Sequence, residues 1–208
     1  MSKYTLHGIA LSGPTYKVAL MLTLAGQPFR YRHVNLRGGE HKQPEFLALN
    51  RYGQVPVLEH GGVALCQSGA ILQYLADTLG RFGGDDAVAR LRAREWLFWD
   101  ADKLSPGIYR TRAAKLGFAK FEPPVEAVYQ AAGEAALKDL DGYLTGQSFL
   151  VQNSPTIADI ACWGVLAFAG QAGFDLAQWP NVAAWAARMT ALPGALPPSD
   201  LLPMNDRD

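Results

Sequence analysis

The order of secondary-structure signals changes once along the chain, and this change restricts the fold most. Residues 3–79 alternate strand-like and helix-like segments in the order βαβαββα, whereas the segments after residue 87 show only helical periodicity. Residues 80–86 (GRFGGDD) are rich in glycine and aspartate, which is typical of a linker. We therefore predict an α/β domain over residues 1–80, a linker over residues 81–87 and an all-helical domain over residues 88–208.

The first part predicts a mixed four-stranded sheet with helices on its faces. Strands are expected over residues 4–9, 29–36, 55–59 and 63–65, and helices over residues 14–25, 45–49 and 69–79. The helix between the first two strands requires a parallel pair. Gly61 and Gly62 indicate a tight turn, so the last two strands should be antiparallel.

The second part predicts four long helices followed by an irregular, proline-rich tail. The helices are expected over residues 87–117, 122–144, 157–170 and 181–192, and the tail begins at Pro193. Pro106 and Gly107 lie inside the first of these helices and predict a bend there.

Composition excludes several classes of function. The 19 basic and 19 acidic residues give a formal net charge of zero, and they form no basic stripe for nucleic acid or a membrane surface. No apolar run approaches the ~20 residues of a membrane-spanning helix. Cys66 and Cys162 each lie in an apolar run, which indicates buried free thiols and not a disulfide or metal site. We expect a cytoplasmic protein without a metal, a nucleic-acid partner or a membrane partner.

Residues 12–15 (SGPT) lie where the first strand leads into the first helix. Free backbone N–H groups and the positive end of the helix dipole lie together at such a point, and Ser12 lies beside them. The segment has the spacing of a Cys-x-x-Cys redox motif with both thiols replaced by hydroxyls, so it cannot exchange disulfides by itself. From the residues alone, Ser12 is either an active-site group or a helix cap.

Two further segments predict groups that can bind a peptide. In residues 50–57 (NRYGQVPV), a cis bond between Val55 and Pro56 would leave the Val55 backbone free to pair with an extended ligand. In residues 65–71 (LCQSGAI), Ser68 is a good N-cap, and a helix start beside Gln67 suits a carboxylate.

Residues 154–159 (SPTIAD) predict a capping box, with Thr156 as the N-cap and Asp159 three residues later. We interpret this pair as a folding signal at the start of a buried helix and not as a catalytic pair.

Together these motifs resemble the cytosolic glutathione S-transferase family, in particular its bacterial and theta- or delta-like members that use a serine. The resemblance covers nearly the whole chain. It implies a thioredoxin-like N-terminal domain, an all-helical C-terminal domain, glutathione as co-substrate and a homodimer.

The resemblance implies that Ser12 is the catalytic residue and donates a hydrogen bond to the glutathione sulfur. An unperturbed thiol has a pKa of about 8.5, and lowering it by ~2 units requires about 2.7 kcal/mol. A hydrogen bond to a charged group contributes about 1.5–3 kcal/mol, so one hydroxyl helped by the helix dipole is nearly sufficient. Thr15 is the alternative donor.

The resemblance also implies contacts along the rest of glutathione. They are Val55 and Pro56 for the cysteinyl part, Gln67 and Ser68 for the γ-glutamyl part, and His41, Lys42 and Gln54 for the glycyl carboxylate. A solvated surface loop is the alternative interpretation of His41 and Lys42.

The helical domain should supply the pocket for a second, electrophilic substrate. The candidates for this pocket are Leu11, Trp99, Tyr109, Arg110 and Arg112. Asp100 or Asp102 is a candidate contact for the glutathione of a partner subunit. Aromatic residues at helical spacing are also typical of a packed core, which is the alternative interpretation of the tryptophans.

The predicted function is a glutathione transferase that activates the thiol of glutathione for attack on a small hydrophobic electrophile. One alternative keeps the fold and changes the reaction to glutathione-dependent reduction of peroxides or disulfides. The other is a non-enzymatic scaffold that binds a protein partner.

Overall fold

The computed structural model describes residues 3–207 of the chain. These residues form two compact units. The first contains the residues up to Arg81 together with those from Leu192 onward, and the second contains Phe82–Ala191.

A mixed four-stranded sheet forms the centre of the first unit. Its strands are β1 (Tyr4–Gly8), β2 (Phe29–His33), β3 (Val57–His60) and β4 (Val63–Cys66). They lie in the order β2-β1-β3-β4, with β1 and β2 parallel and the other two pairs antiparallel. The predicted mixed sheet and its hairpin are confirmed.

Three helices accompany the sheet, namely α1 (Gly13–Leu24), α2 (Pro44–Leu49) and α3 (Ser68–Leu79). Helix α1 is buried along most of its length, including the unbroken apolar run from Val18 to Leu22. Gly26 lies two residues after its last residue, and the φ of 68° is the left-handed conformation that glycine adopts easily.

The tail departs from the prediction because it belongs to the first unit and is not irregular throughout. It contains a short helix, Pro198–Leu201, and the Leu201 and Leu202 side chains are buried. The Tyr16 hydroxyl donates to the Leu196 carbonyl oxygen at 2.8 Å. Contacts between residues so far apart in the chain leave no local pattern, which explains the difference.

The second unit is helical, as predicted. Its main helices are α4 (Ala87–Trp99), α5 (Ser105–Lys115), α6 (Pro123–Tyr143), α7 (Ile157–Leu166) and α8 (Pro180–Thr190). The short tail helix of the first unit, Pro198–Leu201, is α9. Helix α7 is shorter than expected because a 3₁₀ turn, Ala169–Ala172, follows it. Within residues 3–207, no helix has the length and apolar character needed to cross a bilayer.

The long helix predicted from residue 87 is interrupted by a π-helical segment, Asp100–Leu104. The Ser105 N–H donates to the Asp100 carbonyl oxygen five residues earlier. Pro106 has no N–H to donate, so the helix cannot keep its regular pattern at this point. The predicted bend is therefore a widened turn just before the proline.

The predicted capping box at the start of α7 is confirmed. The fully buried Asp159 carboxylate accepts from the Thr156 N–H, the Leu150 N–H and the Trp185 indole N–H, each at 2.9 Å. Burial raises the pKa of Asp159, and these hydrogen bonds oppose that rise. The carboxylate thus joins the start of α7 to α8.

Candidate active site

Ser12 is the N-cap of α1 and is half-buried. Its Oγ accepts a hydrogen bond from the Thr15 N–H at 3.1 Å. Because the oxygen is the acceptor in this bond, the hydroxyl proton is available to donate to a ligand. An anion beside this hydroxyl would also lie at the positive end of the α1 dipole.

Thr15 has a different environment, although it is only three residues away. It is fully buried, and its side chain lies against Gly8 of β1. A Cβ atom at Gly8 would lie 2.1 Å from Thr15 Cγ2, so only glycine fits there. The two hydroxyls of the motif therefore point to different surroundings.

The loop between α2 and β3 is held by Asn50, whose side chain is almost completely buried. Its Nδ2 donates to the Gln54 carbonyl oxygen at 2.6 Å, and its Oδ1 accepts from the Tyr52 N–H at 3.0 Å. This role of Asn50 was not predicted from the sequence. An asparagine at the start of a glycine-containing loop is a typical signal for such a turn.

The Val55–Pro56 peptide bond is cis, as expected. The sheet pairing of β3 begins only at Val57. Within the described part of the chain, the Val55 N–H and carbonyl oxygen make no backbone hydrogen bond. This backbone can pair with an extended ligand.

Gln67 has a φ of 69° and a ψ of 110°, a strained conformation for a residue with a side chain. It is the N-cap of α3, so Ser68 is the first helical residue and not the cap that the sequence predicted. The unusual φ turns the chain into the helix one residue earlier than expected. Among the described residues no side chain caps α3, so its first N–H groups can receive an anion.

The motifs converge on one cavity of about 120 Å³. It is lined by Pro14, Asn50, Gln54, Val55, Pro56, Gln67 and Ser68. Pro14 follows Ser12 by two residues, so the cavity adjoins the start of α1. Segments that lie more than 50 residues apart in sequence thus line one cavity.

His41 and Lys42 are not among the residues that line this cavity. They lie against the loop that carries Gln54, and Lys42 Nζ donates to the Gly53 carbonyl oxygen at 3.2 Å. A Cβ atom at Gly53 would lie 2.7 Å from the His41 carbonyl oxygen. Close packing of the two loops therefore requires glycine at residue 53.

Two of the residues predicted for a second-substrate pocket line different cavities of the second unit. In the second unit, Trp99 lines a groove of about 480 Å³ with Trp96 and Tyr143, whereas Arg110 lines a separate cavity of about 270 Å³ between α5 and α6. Leu11 is exposed and belongs to the first unit.

The other two candidates have partners within the helical unit. Arg112 is buried, its Nε donates to Gln171 at 2.8 Å, and its guanidinium lies 4.3 Å from the centroid of the Phe168 ring. Burial lowers the pKa of Arg112. Burial, and secondarily Asp100, raise the pKa of the largely buried Tyr109, so its hydroxyl keeps its proton.

The π segment changes how Trp99 and Arg110 are arranged around the helix axis. In an uninterrupted α-helix, residues 11 positions apart differ by only about 20° around the axis. The i→i+5 turn at Asp100–Leu104 removes that alignment. Asp100 is buried and accepts from Ser105 at 2.8 Å, whereas Asp102 is exposed and pairs with Lys103.

A sheet of this topology followed by an all-helical unit is the glutathione S-transferase fold. The model for the glutathione S-transferase N-terminal domain matches residues 2–77, and that for the C-terminal domain matches residues 82–188. The chain therefore belongs to the glutathione S-transferase family.

Similar proteins include both transferases and a disulfide-bond oxidoreductase. The chain is 30% identical over 185 residues to the disulfide-bond oxidoreductase YfcG of Escherichia coli (strain K12), covering 86% of each chain. It is 31% identical over 194 residues to human glutathione S-transferase theta-2B, covering 89% of this chain and 80% of the relative. A glutathione S-transferase structure from Pseudomonas fluorescens [Pf-5] superimposes with a TM-score of 0.90 at 33% identity, covering 96% of this chain and all of the other.

Proposed function

We propose that the protein is a glutathione transferase in which Ser12 stabilises the glutathione thiolate. The observation that carries this proposal is the Ser12 hydroxyl, which caps α1 beside the cavity and retains its proton for donation. The thiolate attacks an electrophilic carbon, and the bond from that carbon to its leaving group breaks. Ser12 acts as a hydrogen-bond donor throughout and forms no covalent intermediate.

The cavity suggests how the rest of glutathione binds. The Val55 backbone pairs with the cysteinyl residue, and the start of α3 with Gln67 and Ser68 receives the γ-glutamyl carboxylate. Gln54 contacts the glycyl end, with Lys42 and His41 beside it. This arrangement is supported by the unpaired Val55 backbone and the uncapped helix start.

Steady-state kinetics of Ser12→Ala with a chloro-nitroaromatic electrophile tests the role of Ser12. We expect the rate to fall at least tenfold, because one hydrogen bond to a thiolate contributes about 1.5–3 kcal/mol, while the affinity for glutathione stays nearly unchanged. Thr15→Val is the matched control, since it removes the neighbouring hydroxyl and keeps the shape. An unchanged kcat in Ser12→Ala, or a larger loss in Thr15→Val, would contradict the assignment.

The identity to YfcG supports a second candidate, glutathione-dependent disulfide reduction. The bound thiolate would attack a substrate disulfide and release one substrate thiol. A second glutathione would then release the other thiol and leave oxidised glutathione. Comparing turnover of a dithiol substrate in its disulfide form, a hydroperoxide and a chloro-nitroaromatic would separate the reactions.

A scaffold without activity is the remaining alternative, and retention on immobilised glutathione tests it. A protein that does not bind glutathione would favour the scaffold.

We further propose a cytoplasmic, detoxifying homodimer, as the family resemblance implies. Val88, Leu91 and Phe98 support the dimer, because they lie on one side of α4 and their exposed fractions are 59%, 58% and 76%. Sedimentation velocity of the intact chain and of Phe98→Ser measures the oligomeric state. A monomeric intact chain would contradict the dimer.

A further inference from the structure

The outer edge of β2 has no neighbouring strand of the four-stranded sheet, because β2 is the first strand in the sheet order. Backbone groups of alternate residues point away from the sheet at such an edge. The N–H groups of Tyr31 and His33 both have partners outside the sheet. The residues whose backbone groups point outward are therefore Phe29, Tyr31 and His33. An exposed row of this kind is a template for an added strand.

The tail of the same chain occupies most of this edge. The Tyr31 N–H donates to the Arg207 carbonyl oxygen at 2.6 Å, and the Arg207 N–H donates to the Tyr31 carbonyl oxygen at 2.9 Å. The His33 N–H donates to the Asp206 carboxylate at 2.7 Å. The tail therefore adds a one-residue antiparallel bridge and one side-chain acceptor to the sheet.

The side chains around this bridge favour an acidic segment. The Asp206 carboxylate lies 3.7 Å from the Arg32 guanidinium, and Arg207 lies over the Phe29 ring at 5.3 Å. Arg30 and Arg32 are two residues apart on β2 and so project from the same face. Two copies of β2 paired antiparallel about Tyr31 would bring Arg30 opposite Arg32, which is unfavourable.

We propose that the outer edge of β2 is a strand-addition site for an extended acidic segment, and that the tail residues Asp206 and Arg207 are its displaceable internal occupant. A partner segment would place an acidic residue directly before the residue that pairs with Tyr31. Within residues 3–207 the tail makes one backbone bridge at this edge, supported by contacts of the Asp206 and Arg207 side chains. A longer segment that forms more backbone pairs can therefore replace it. The proposal does not depend on glutathione chemistry.

A peptide-binding experiment on the full chain tests this site. The probe is a labelled, acetylated peptide with the sequence of residues 203–207 (PMNDR), and its control carries asparagine for aspartate (PMNNR). The double variant Asp206→Ala/Arg207→Pro should bind the aspartate-containing peptide at least tenfold more tightly than the intact protein does, and at least tenfold more tightly than it binds the control peptide. Asp200→Asn, an exposed change elsewhere in the tail, should behave like the intact protein.

Three results would overturn the proposal. They are absence of binding to the double variant, equal binding of both peptides, and self-association of the double variant in place of peptide binding. The last result would show that a second copy of β2 is the preferred occupant.

Amide hydrogen exchange gives a second, independent measurement with single substitutions. Arg207→Pro removes the N–H that donates to Tyr31, whereas Arg207→Ala keeps it. We expect exchange of the Tyr31 amide to accelerate at least tenfold in Arg207→Pro and much less in Arg207→Ala, while the β1 amides stay protected. Equal Tyr31 exchange in both variants would show that the tail does not protect the edge.

Discussion

Gln67 combines backbone strain with a position in the cavity. Strained residues cluster at binding sites, where the surrounding structure holds them in place. Here the strain places the Gln67 side chain and the uncapped start of α3 on the same cavity. The conformation of this residue is thus part of the site.

Replacing Gln67 by glycine should separate strain from binding. Glycine adopts a positive φ easily, and relief of about 1–3 kcal/mol of strain should offset its entropic cost of about 0.5–1 kcal/mol. We therefore expect Gln67→Gly to unfold at the same or a higher temperature, with at least tenfold weaker glutathione affinity by calorimetry. Gln73→Gly, inside α3, is the control and should lower the melting temperature. A large loss of stability in Gln67→Gly would contradict the strain argument.

The sequence predicted local conformation well where a local rule applies. The cis bond between Val55 and Pro56 was expected because a proline at a strand start is unusual, and the helix start at Ser12 because this residue lies at a strand-to-helix transition. The first helical residue of α3 was misplaced by one because no rule predicts a positive φ at a glutamine. Asn50 was missed because its partners become apparent only when the loop is folded.

At the scale of elements, helix starts are specified mainly by side chains close in sequence. Asp86 is the N-cap of α4, and its carboxylate accepts from the Ala89 N–H at 2.8 Å. This bond and a second from the Val88 N–H lower the pKa of Asp86 from its ordinary value of 3.8. The ionised cap therefore stabilises the folded state above that value, and the contribution disappears as the pH falls through the lowered pKa.

Asp86→Asn should reveal this contribution in the pH dependence of thermal unfolding. Asparagine caps helices about as well as aspartate but carries no charge. We expect the intact protein to melt at a higher temperature than Asp86→Asn at pH 7, and the difference to shrink steadily below about pH 4. Asp139→Asn, an exposed carboxylate within α6, controls for the change in net charge. A difference for Asp86→Asn that stays constant down to pH 2 would contradict the assignment.

The interruption between α4 and α5 shows the limit of element prediction. Pro106 indicated that the helix would be disturbed, but the choice between a kink and a π turn depends on the neighbours of Asp100 and Ser105 in the folded unit. The π turn rotates every later residue of the helix about the helix axis, relative to its position in a regular α-helix. Among the predicted second-substrate residues, Trp99 precedes this interruption and Arg110 follows it.

At the scale of the whole molecule, binding of glutathione should be measurable as an increase in the free energy of unfolding. A ligand at 100 times its dissociation constant stabilises the state that binds it by about 2.7 kcal/mol. We expect glutathione at that concentration to raise the free energy of unfolding by this amount in the intact protein and nearly as much in Ser12→Ala. Cysteinylglycine, which lacks the γ-glutamyl group, should stabilise the protein much less because the start of α3 loses its carboxylate. Chemical denaturation at fixed ligand concentration provides the measurement, and equal effects of the two ligands would contradict the proposed orientation.

The chain-level organisation was predictable only in part. The change from alternating elements to helices is a local signal and indicated a division close to the end of the first unit at Arg81. The membership of the tail was not predictable, because it depends on pairs such as His33 and Asp206, which are 173 positions apart. Periodicity reports which face of an element is apolar and does not report what covers it.

The first unit consists of two segments that lie far apart in the sequence, and this affects how it folds during synthesis. A ribosome releases all four strands early, but the segment that closes the edge of β2 emerges only after the whole helical unit has been made. Domains tend to fold as they emerge, so the nascent sheet passes through a period with that edge uncovered. During this period Arg30 and Arg32, which are already part of the nascent chain, disfavour pairing of the β2 edge with a wrong strand.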